Sequence, residues 1–382
     1  MPDPARAQLA QTRRLVVKLG TNVIMRGDGL PALGRLYGLL ESVATLKRQG
    51  MEVLLVSSGA IGLGAQQLGF QGKPETLADK QACAAVGQGR LMALYQEGFA
   101  RLGVVAAQVL LTEYDFANRQ RYLNLRATLD RLLELGVVPV INENDTVATA
   151  ELEEPDGFRT EPVFGDNDKL SALVASGAAA DTLLILSDVD GLYTGNPHKD
   201  PEARLIPRVA RLSAEIEGYA DGQSSRGRGG MASKLSAVRV ATAAGARVLI
   251  ASGAAPAVLD RVMAGEAVGT LFEPGARLKG KKRWIAHASQ VSGRIRVNPG
   301  AEAALRAGRA SLLADGVVAL EGEFEKDDVV AVADSEGRDF ARGVVTMGRP
   351  EADRVMEPDR PRARSRDRVL VSRDTFVQVE EK

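Results

Sequence analysis

The sequence predicts an α/β protein: a three-layer αβα sandwich with a mainly parallel sheet, followed by a small β-rich unit. Three observations carry this. Short apolar runs alternate with longer stretches of helical spacing up to about residue 272. Those runs are continuous rather than alternating with polar residues, as in strands buried on both faces. After Pro274 the pattern changes to short strand-like pieces separated by Gly and Asp.

The elements follow in order. Leu15 to Leu19 reads as a strand, and Leu33 to Gln49 as a helix with Leu36, Leu39, Leu40, Val43 and Leu46 on one face. Val53 to Val56 is a second strand. Residues 76–101 read as helical, in two pieces around Gly87 and Gly89. Strands are expected at Val104 to Leu111, Val137 to Ile141, Thr182 to Leu186 and Arg247 to Ala251. Helices are expected at Asn118 to Leu135, Lys169 to Ala175 and Met231 to Ala244. The expected division is a first domain over 1–274, a Gly- and Lys-rich linker over 275–284, and a β-rich domain over 285–382. In the last, strands begin near Ser292, Gly316, Asp328 and Ala341, with a final one at Val369 to Val371.

Composition narrows the function. Lys+Arg and Asp+Glu both number 49 in 382 residues, so any basic site must be local. Aromatics are 4%, so Ala, Val, Leu and Ile must build the core. One cysteine, Cys83, excludes an internal disulfide, and the two histidines, His198 and His287, leave no His-rich metal centre. No apolar run approaches the ~20 residues of a membrane span. Lys18 stops Leu15-Val16-Val17 too early for a signal-peptide core. The expectation is a soluble, cytoplasmic protein.

Five clusters carry chemistry. Val16-Val17-Lys18-Leu19-Gly20-Thr21-Asn22 ends a strand in lysine, where an open α/β sheet holds its ligand crevice; the plainer reading is a solvated lysine. Val56-Ser57-Ser58-Gly59-Ala60 runs a strand into a small-residue turn that either offers N–H groups to an anion or only permits close packing. Asn142-Glu143-Asn144-Asp145 and Gly165-Asp166-Asn167-Asp168-Lys169 gather four acids and three amides. Such groups need cations or donors if buried; an acidic loop with Asp168 as an N-cap is the alternative. Ser187-Asp188 follows another strand. Gly227-Arg228-Gly229-Gly230-Met231-Ala232-Ser233-Lys234 is a glycine-rich loop entering a helix, which makes either an anion site or a mobile loop.

In this order the motifs Val-Val-Lys-Leu-Gly-Thr, Ser-Ser-Gly-Ala-Ile, Val-Ile-Asn-Glu-Asn-Asp, Gly-Asp-Asn-Asp, Ser-Asp-x-x-Gly-Leu-Tyr and Gly-Gly-Met-x-x-Lys closely resemble the glutamate 5-kinases of the amino acid kinase family. Val86-Gly87-Gln88 and Lys282-Arg283-Trp284-Ile285 extend the resemblance, and the β-rich tail looks like a PUA domain.

The resemblance implies the amino acid kinase fold and ATP-dependent phosphorylation of the γ-carboxylate of L-glutamate, the first step towards proline. It assigns Lys18 to the transferring phosphoryl group, Lys234 to the nucleotide side and Asp168 to holding both lysines. Ser58, Asp145 and Asn167 match glutamate-binding positions, with Asn142 and Asp166 beside them. ATP-binding positions are Lys18, Gly20, Ser187, Asp188, Arg228, Gly229, Gly230, Met231, Ala232, Ser233 and Lys234. Mg²⁺ is expected with ATP, carried largely by the phosphates and not by a dedicated protein metal site. Further expectations are inhibition by L-proline, a homo-oligomer and glutamyl phosphate reductase as a partner.

Two features depart from the pattern. Arg228 stands where the glycine loop often begins with Thr, and the acidic stretch Glu151 to Phe164 is longer than expected. That stretch is expected to tune closure over a site that glutamate and proline share. Acetylglutamate kinase, aspartokinase, carbamate kinase and uridylate kinase are the alternatives on the same fold. RNA binding by the tail is not expected as a main role. Residues 292–382 hold 16 Lys+Arg against 18 Asp+Glu, whereas nucleic-acid binding needs a basic face.

Overall fold

A computed structural model of the chain describes residues 3–147, 167–197, 199–220, 230–275, 280–287, 291–308, 310–356 and 368–379. The expected stretch 151–164 and the arginines at 360, 362, 364 and 366 lie outside the described residues. The chain divides into two compact units: Met1–Thr112 with Leu125–Arg277, and Glu113–Asn124 with Leu278–Lys382.

The first unit is built on strands β1 (Arg14–Leu19), β2 (Glu52–Ser57), β3 (Ala106–Leu111), β4 (Val138–Glu143), β5 (Thr182–Ser187), β6 (Arg208–Val209), β7 (Arg247–Ser252) and β8 (Thr270–Phe272). Their order across the sheet is β3-β4-β2-β1-β5-β7-β8-β6. All neighbours are parallel except β7 and β8. The short strands β6 and β8 were not expected. At two and three residues they are too brief to show a period.

Strand alternation sends Leu15, Val17 and Leu19 to one face, where they pack with Leu36, Leu40 and Val43 of helix Leu33–Arg48 and with Tyr95 and Phe99 of helix Leu77–Arg101. Val16 and Lys18 therefore take the other face. Helix Asn167–Gly177 packs there against β1 and β5, and helix Met231–Ala243 packs against it and β7. This is the expected three-layer arrangement. Among the described residues no helix is long and apolar enough to cross a membrane.

Helix Leu77–Arg101 corrects the reading of two pieces: it is unbroken. Its glycines serve packing rather than a break. A Cβ on Gly87 would stand 1.8 Å from the Ala60 carbonyl oxygen, and one on Gly64 would stand 1.8 Å from that of Cys83. The two helices thus touch backbone to backbone. At the sheet's other end, the buried Arg6 guanidinium donates to four carbonyls. Nη1 reaches Glu266 and Val268 at 2.9 and 2.7 Å, and Nη2 reaches Pro207 and Gly269, both at 2.8 Å. Burial lowers its pKa. The residues it holds lead directly into β6 and β8.

The second unit carries β9 (Gly293–Val297), β10 (Leu312–Leu313), β11 (Val317–Glu321), β12 (Val329–Ala333), β13 (Asp339–Val345) and β14 (Val369–Gln378), in the order β10-β14-β13-β12-β9-β11. Only β9 and β12 pair in parallel. Its core joins Ile295, Val330, Phe340 and Leu370. The last strand runs to Gln378, past the expected end at Val371. Its solvent-facing polar residues hide the period. Helices Pro299–Arg306 and Arg349–Met356 were not expected. The first had a legible start, since Asn298 caps the Ala301 N–H at 2.9 Å and Pro299 takes the first turn. Residues 280–284, expected as linker, belong to helix Gly280–His287. There Trp284 Nε1 donates to the Phe116 carbonyl at 2.8 Å, and its ring lies 6.2 Å from that of Tyr122.

The Gly64–Gly87 crossing gives a direct test. Gly87→Ala must part the two helices, and we expect it to cost about 1–3 kcal/mol. The urea midpoint measures this; Gly89→Ala, whose Cβ meets nothing within 4 Å, is the control and should raise the midpoint slightly, since alanine suits a helix interior better than glycine.

Candidate active site

From β1 the chain moves to β2 on one side, and from β4 it returns to β5 on the other. Open α/β sheets leave a crevice beyond the strand C-termini at such a reversal. Gly20 stands at this point, and its N–H donates to the Leu186 carbonyl across the gap at 3.1 Å. A Cβ on Gly20 would lie 3.5 Å from Lys18 Nζ, so glycine keeps the space beside that ammonium open.

Lys18 reaches upward from β1 on the face covered by helices Asn167–Gly177 and Met231–Ala243. Each helix begins at this edge of the sheet. Asp168, in the first turn of one, and Lys234, in the first turn of the other, meet Lys18 there. Lys18 Nζ lies 2.5 Å from Asp168 Oδ1, and Lys234 Nζ lies 3.2 Å from Asp168 Oδ2. Asp168 is 0% exposed and each lysine 5%. A carboxylate suits a helix N-terminus and an ammonium does not, so Lys234 stands against its own helix dipole. Asp168 offsets this, but the trio still carries one net positive charge in a place poor in water. Two ammonium groups gathered at the strand ends, with Asp188 the next carboxylate near Lys234, are chemically able to receive an anion.

Asn167, one residue earlier, points about 100° away around the same turn. Its Nδ2 faces three acceptors: the Ser57 carbonyl at 2.8 Å, Asn142 Oδ1 at 2.9 Å and Ser58 Oγ at 3.0 Å. Asn142 Nδ2 in turn donates to Gln88 Oε1 at 2.8 Å. One helix turn therefore serves two environments, a charged cluster over β1 and an amide–hydroxyl wall over β2 and β4.

On the far side, β5 ends at the buried Ser187, whose Oγ donates to Asp188 Oδ1 at 2.9 Å. Asn22 Nδ2 donates to Asp188 Oδ2 at 2.7 Å. Partial burial pushes the Asp188 pKa up, but the bonds from Asn22 and Ser187 and the nearby Lys234 charge outweigh it, and the net shift is downward. Among the described residues no group of three His, Cys, Asp or Glu side chains is placed to hold a metal.

Comparison with known proteins identifies the family. Residues 13–252 match the model of the amino acid kinase family, a span that contains every site residue named above. The chain belongs to the amino acid kinase family. Residues 293–360 match the PUA domain. A protein of Synechococcus elongatus named Glutamate 5-kinase is 48% identical over 345 residues, 89% of this chain and 91% of that protein. One of the same name from Geobacter metallireducens is 44% identical over 352 residues, 92% of each chain. Among solved structures, a UMP kinase from Bacillus anthracis aligns at 15% identity with a TM-score of 0.46, covering 70% of this chain and 98% of that one.

Of the residues expected at the family's site, the fold brings Lys18, Asp168 and Lys234 into one cluster and Ser58, Asn142 and Asn167 into another. Gly20 joins the first cluster. Ser187 and Asp188 stand at the end of β5. Asp145 lies half-buried in the turn after β4. Gly230 caps helix Met231–Ala243, whose first turn holds the buried Met231, the exposed Ala232 and the half-buried Ser233. Asp166, Arg228 and Gly229 lie outside the described residues. Sequence reasoning gave no role to Asn22, Ser57, Gln88 or Tyr95. Gln88 and Tyr95 sit on an apolar helical face, and that mismatch was the available signal.

Asp168→Ala should leave two buried ammonium groups facing each other. Breaking a buried pair by removing one partner costs about 3–5 kcal/mol, and we expect a loss of that size in urea unfolding. Added sulfate should recover part of it by standing between the lysines.

Proposed function

We propose that this chain is a glutamate 5-kinase, transferring the γ-phosphoryl group of ATP to the γ-carboxylate of L-glutamate. The observation that carries this is one buried carboxylate shared by two buried lysines at the sheet's reversal point, in a chain 44–48% identical to proteins of that name. A γ-carboxylate oxygen attacks the terminal phosphorus, a P–O bond forms, and the bond to the bridging oxygen of ADP breaks. The products are glutamyl 5-phosphate and ADP.

The acceptor sets what the chemistry needs. A carboxylate with a pKa near ~4.3 is already ionised at neutral pH, so no general base has to remove a proton. Catalysis then rests on position and charge. Lys18 meets the charge that develops on the transferring group, Lys234 meets it from the nucleotide side, and Asp168 keeps both ammonium groups in place. Strand order supports a division of labour. Ser58, Asn142, Asp145 and Asn167, around the ends of β2 and β4, bind glutamate together with Asp166. Lys18 and Gly20, after β1, bind the phosphoryl group. Ser187, Asp188 and the segment from Arg228 to Lys234 bind the nucleotide. Mg²⁺ enters with ATP and is carried chiefly by the phosphate oxygens.

The acyl phosphate is the first intermediate from glutamate to proline, in the cytoplasm, and a reductase specific for it is the natural consumer. L-Proline keeps glutamate's amine and α-carboxylate but has no γ-carboxylate, so it competes for the same wall without accepting phosphate. The active form is a homo-oligomer.

Hydroxylamine trapping tests the reading. With MgATP the protein should form γ-glutamyl hydroxamate from L-glutamate, and far less hydroxamate from N-acetylglutamate or aspartate. Proline should suppress it. Equal yields from all three acids would overturn the assignment. Lys18→Ala and Lys234→Ala should each lower kcat by at least ~100-fold while unfolding at nearly the wild-type urea concentration. Arginine at either position should not restore it, because a planar fork does not replace a point charge.

A further inference from the structure

Helix Leu77–Arg101 buries a face made of Cys83, Ala84, Leu91, Met92 and Phe99, yet Gln88 and Tyr95 interrupt it two turns apart. Tyr95 is fully buried and Gln88 is 9% exposed. Polar groups on such a face need partners. Both find theirs at the candidate site. The Tyr95 hydroxyl shares a hydrogen bond of 2.8 Å with Ser57 Oγ, and burial raises its pKa. Gln88 Oε1 accepts from Asn142 Nδ2 at 2.8 Å.

This chain of amides has a direction. The Ser57 carbonyl can only accept, so Asn167 must turn Nδ2 towards it. Asn142 must then offer Oδ1 to Asn167, which leaves its Nδ2 for Gln88. An acceptor at Gln88 therefore completes a single arrangement in which neither asparagine can turn over. With Nδ2 of Asn167 committed to β2 and β4, its Oδ1 is the end left for a ligand.

We propose that Gln88 is a positioning residue: acting through Asn142, it locks the Asn167 amide with Oδ1 presented to the ammonium group of the amino acid substrate. This rests on the function proposed above for the choice of substrate, but the locking itself does not. Without the acceptor, the Asn142 Nδ2 is buried with no partner, so that amide gains by turning over or swinging away, and Asn167 is then held by the β2 end alone.

The test uses the full-length chain with ¹⁵N-labelled asparagine, comparing wild type, Gln88→Met and Gln88→Glu. Methionine keeps the volume and removes the acceptor; the glutamate carboxylate still accepts from Asn142. In Gln88→Met, the side-chain amide protons of Asn142 and Asn167 should exchange at least about tenfold faster, and the KM for glutamate should rise about tenfold, the size of one lost hydrogen bond. The KM for ATP should stay within about twofold, and Gln88→Glu should bring the glutamate KM most of the way back. Gln88→Asn, one methylene short of Asn142, should give the same split if the methionine variant does not fold. Unchanged exchange at Asn167 overturns the proposal, as does a parallel rise of both KM values with a lower melting temperature. If wild type does not phosphorylate glutamate, the proposed function fails, and the Asn167 exchange rates still decide whether Gln88 locks it.

Discussion

The arrangement depends on the Asp168 carboxylate, held between Lys18 at 2.5 Å and Lys234 at 3.2 Å. Three charges lie almost wholly out of water there; removing Asp168 would strand two ammonium groups, whereas removing either lysine leaves the other paired with the carboxylate. The lysines come from a strand and from a helix far apart in sequence, so one ion-paired cluster ties β1 to both helices of that layer. The same cluster carries a net positive charge, which a hydrophobic replacement of similar volume would lack. Stability alone does not call for it; the proposed phosphoryl transfer does.

The sheet supplies the order in which ligands meet. Because β4, β2, β1 and β5 lie side by side, their C-terminal ends form a row. Asn142, Ser58, Lys18 and Ser187 stand along it in sequence-independent order. Asn167 and Asp168, adjacent on one helical turn, join the two halves of the row. A shift of this helix by one residue would exchange an amide for a carboxylate in each environment. Its position is fixed by the buried face of Leu170, Leu173 and Val174 against the sheet.

Small residues and buried polar groups set the tolerances around this row. The contact of Gly64 and Gly87 with facing backbone brings helix Leu77–Arg101 close to helix Ala60–Gln67. Gln88 and Tyr95 on that helix then reach the ends of β4 and β2. Arg6 does comparable work at the far edge, where its four bonds to carbonyls hold the segments leading into β6 and β8. A guanidinium is suited to this because its donors lie in a rigid plane.

The sequence by itself determined the strands β1, β2, β4, β5 and β7, because strands buried on both faces must be continuous apolar runs. It also marked the polar residues at or near their ends, Lys18, Ser58, Asn142 and Ser187, since each interrupts or follows an apolar run. The short strands β6 and β8 were not legible, because two or three residues have no period. The glycines of helix Leu77–Arg101 looked like a break, because local spacing cannot show that another backbone lies against them. The family resemblance pointed to Asp168, but only the tertiary structure buries its carboxylate between two lysines. A carboxylate's partners are chosen by the fold: Lys18 lies 150 residues before Asp168 and Lys234 lies 66 after it, and only the packing of two helices on one face of the sheet brings the three together.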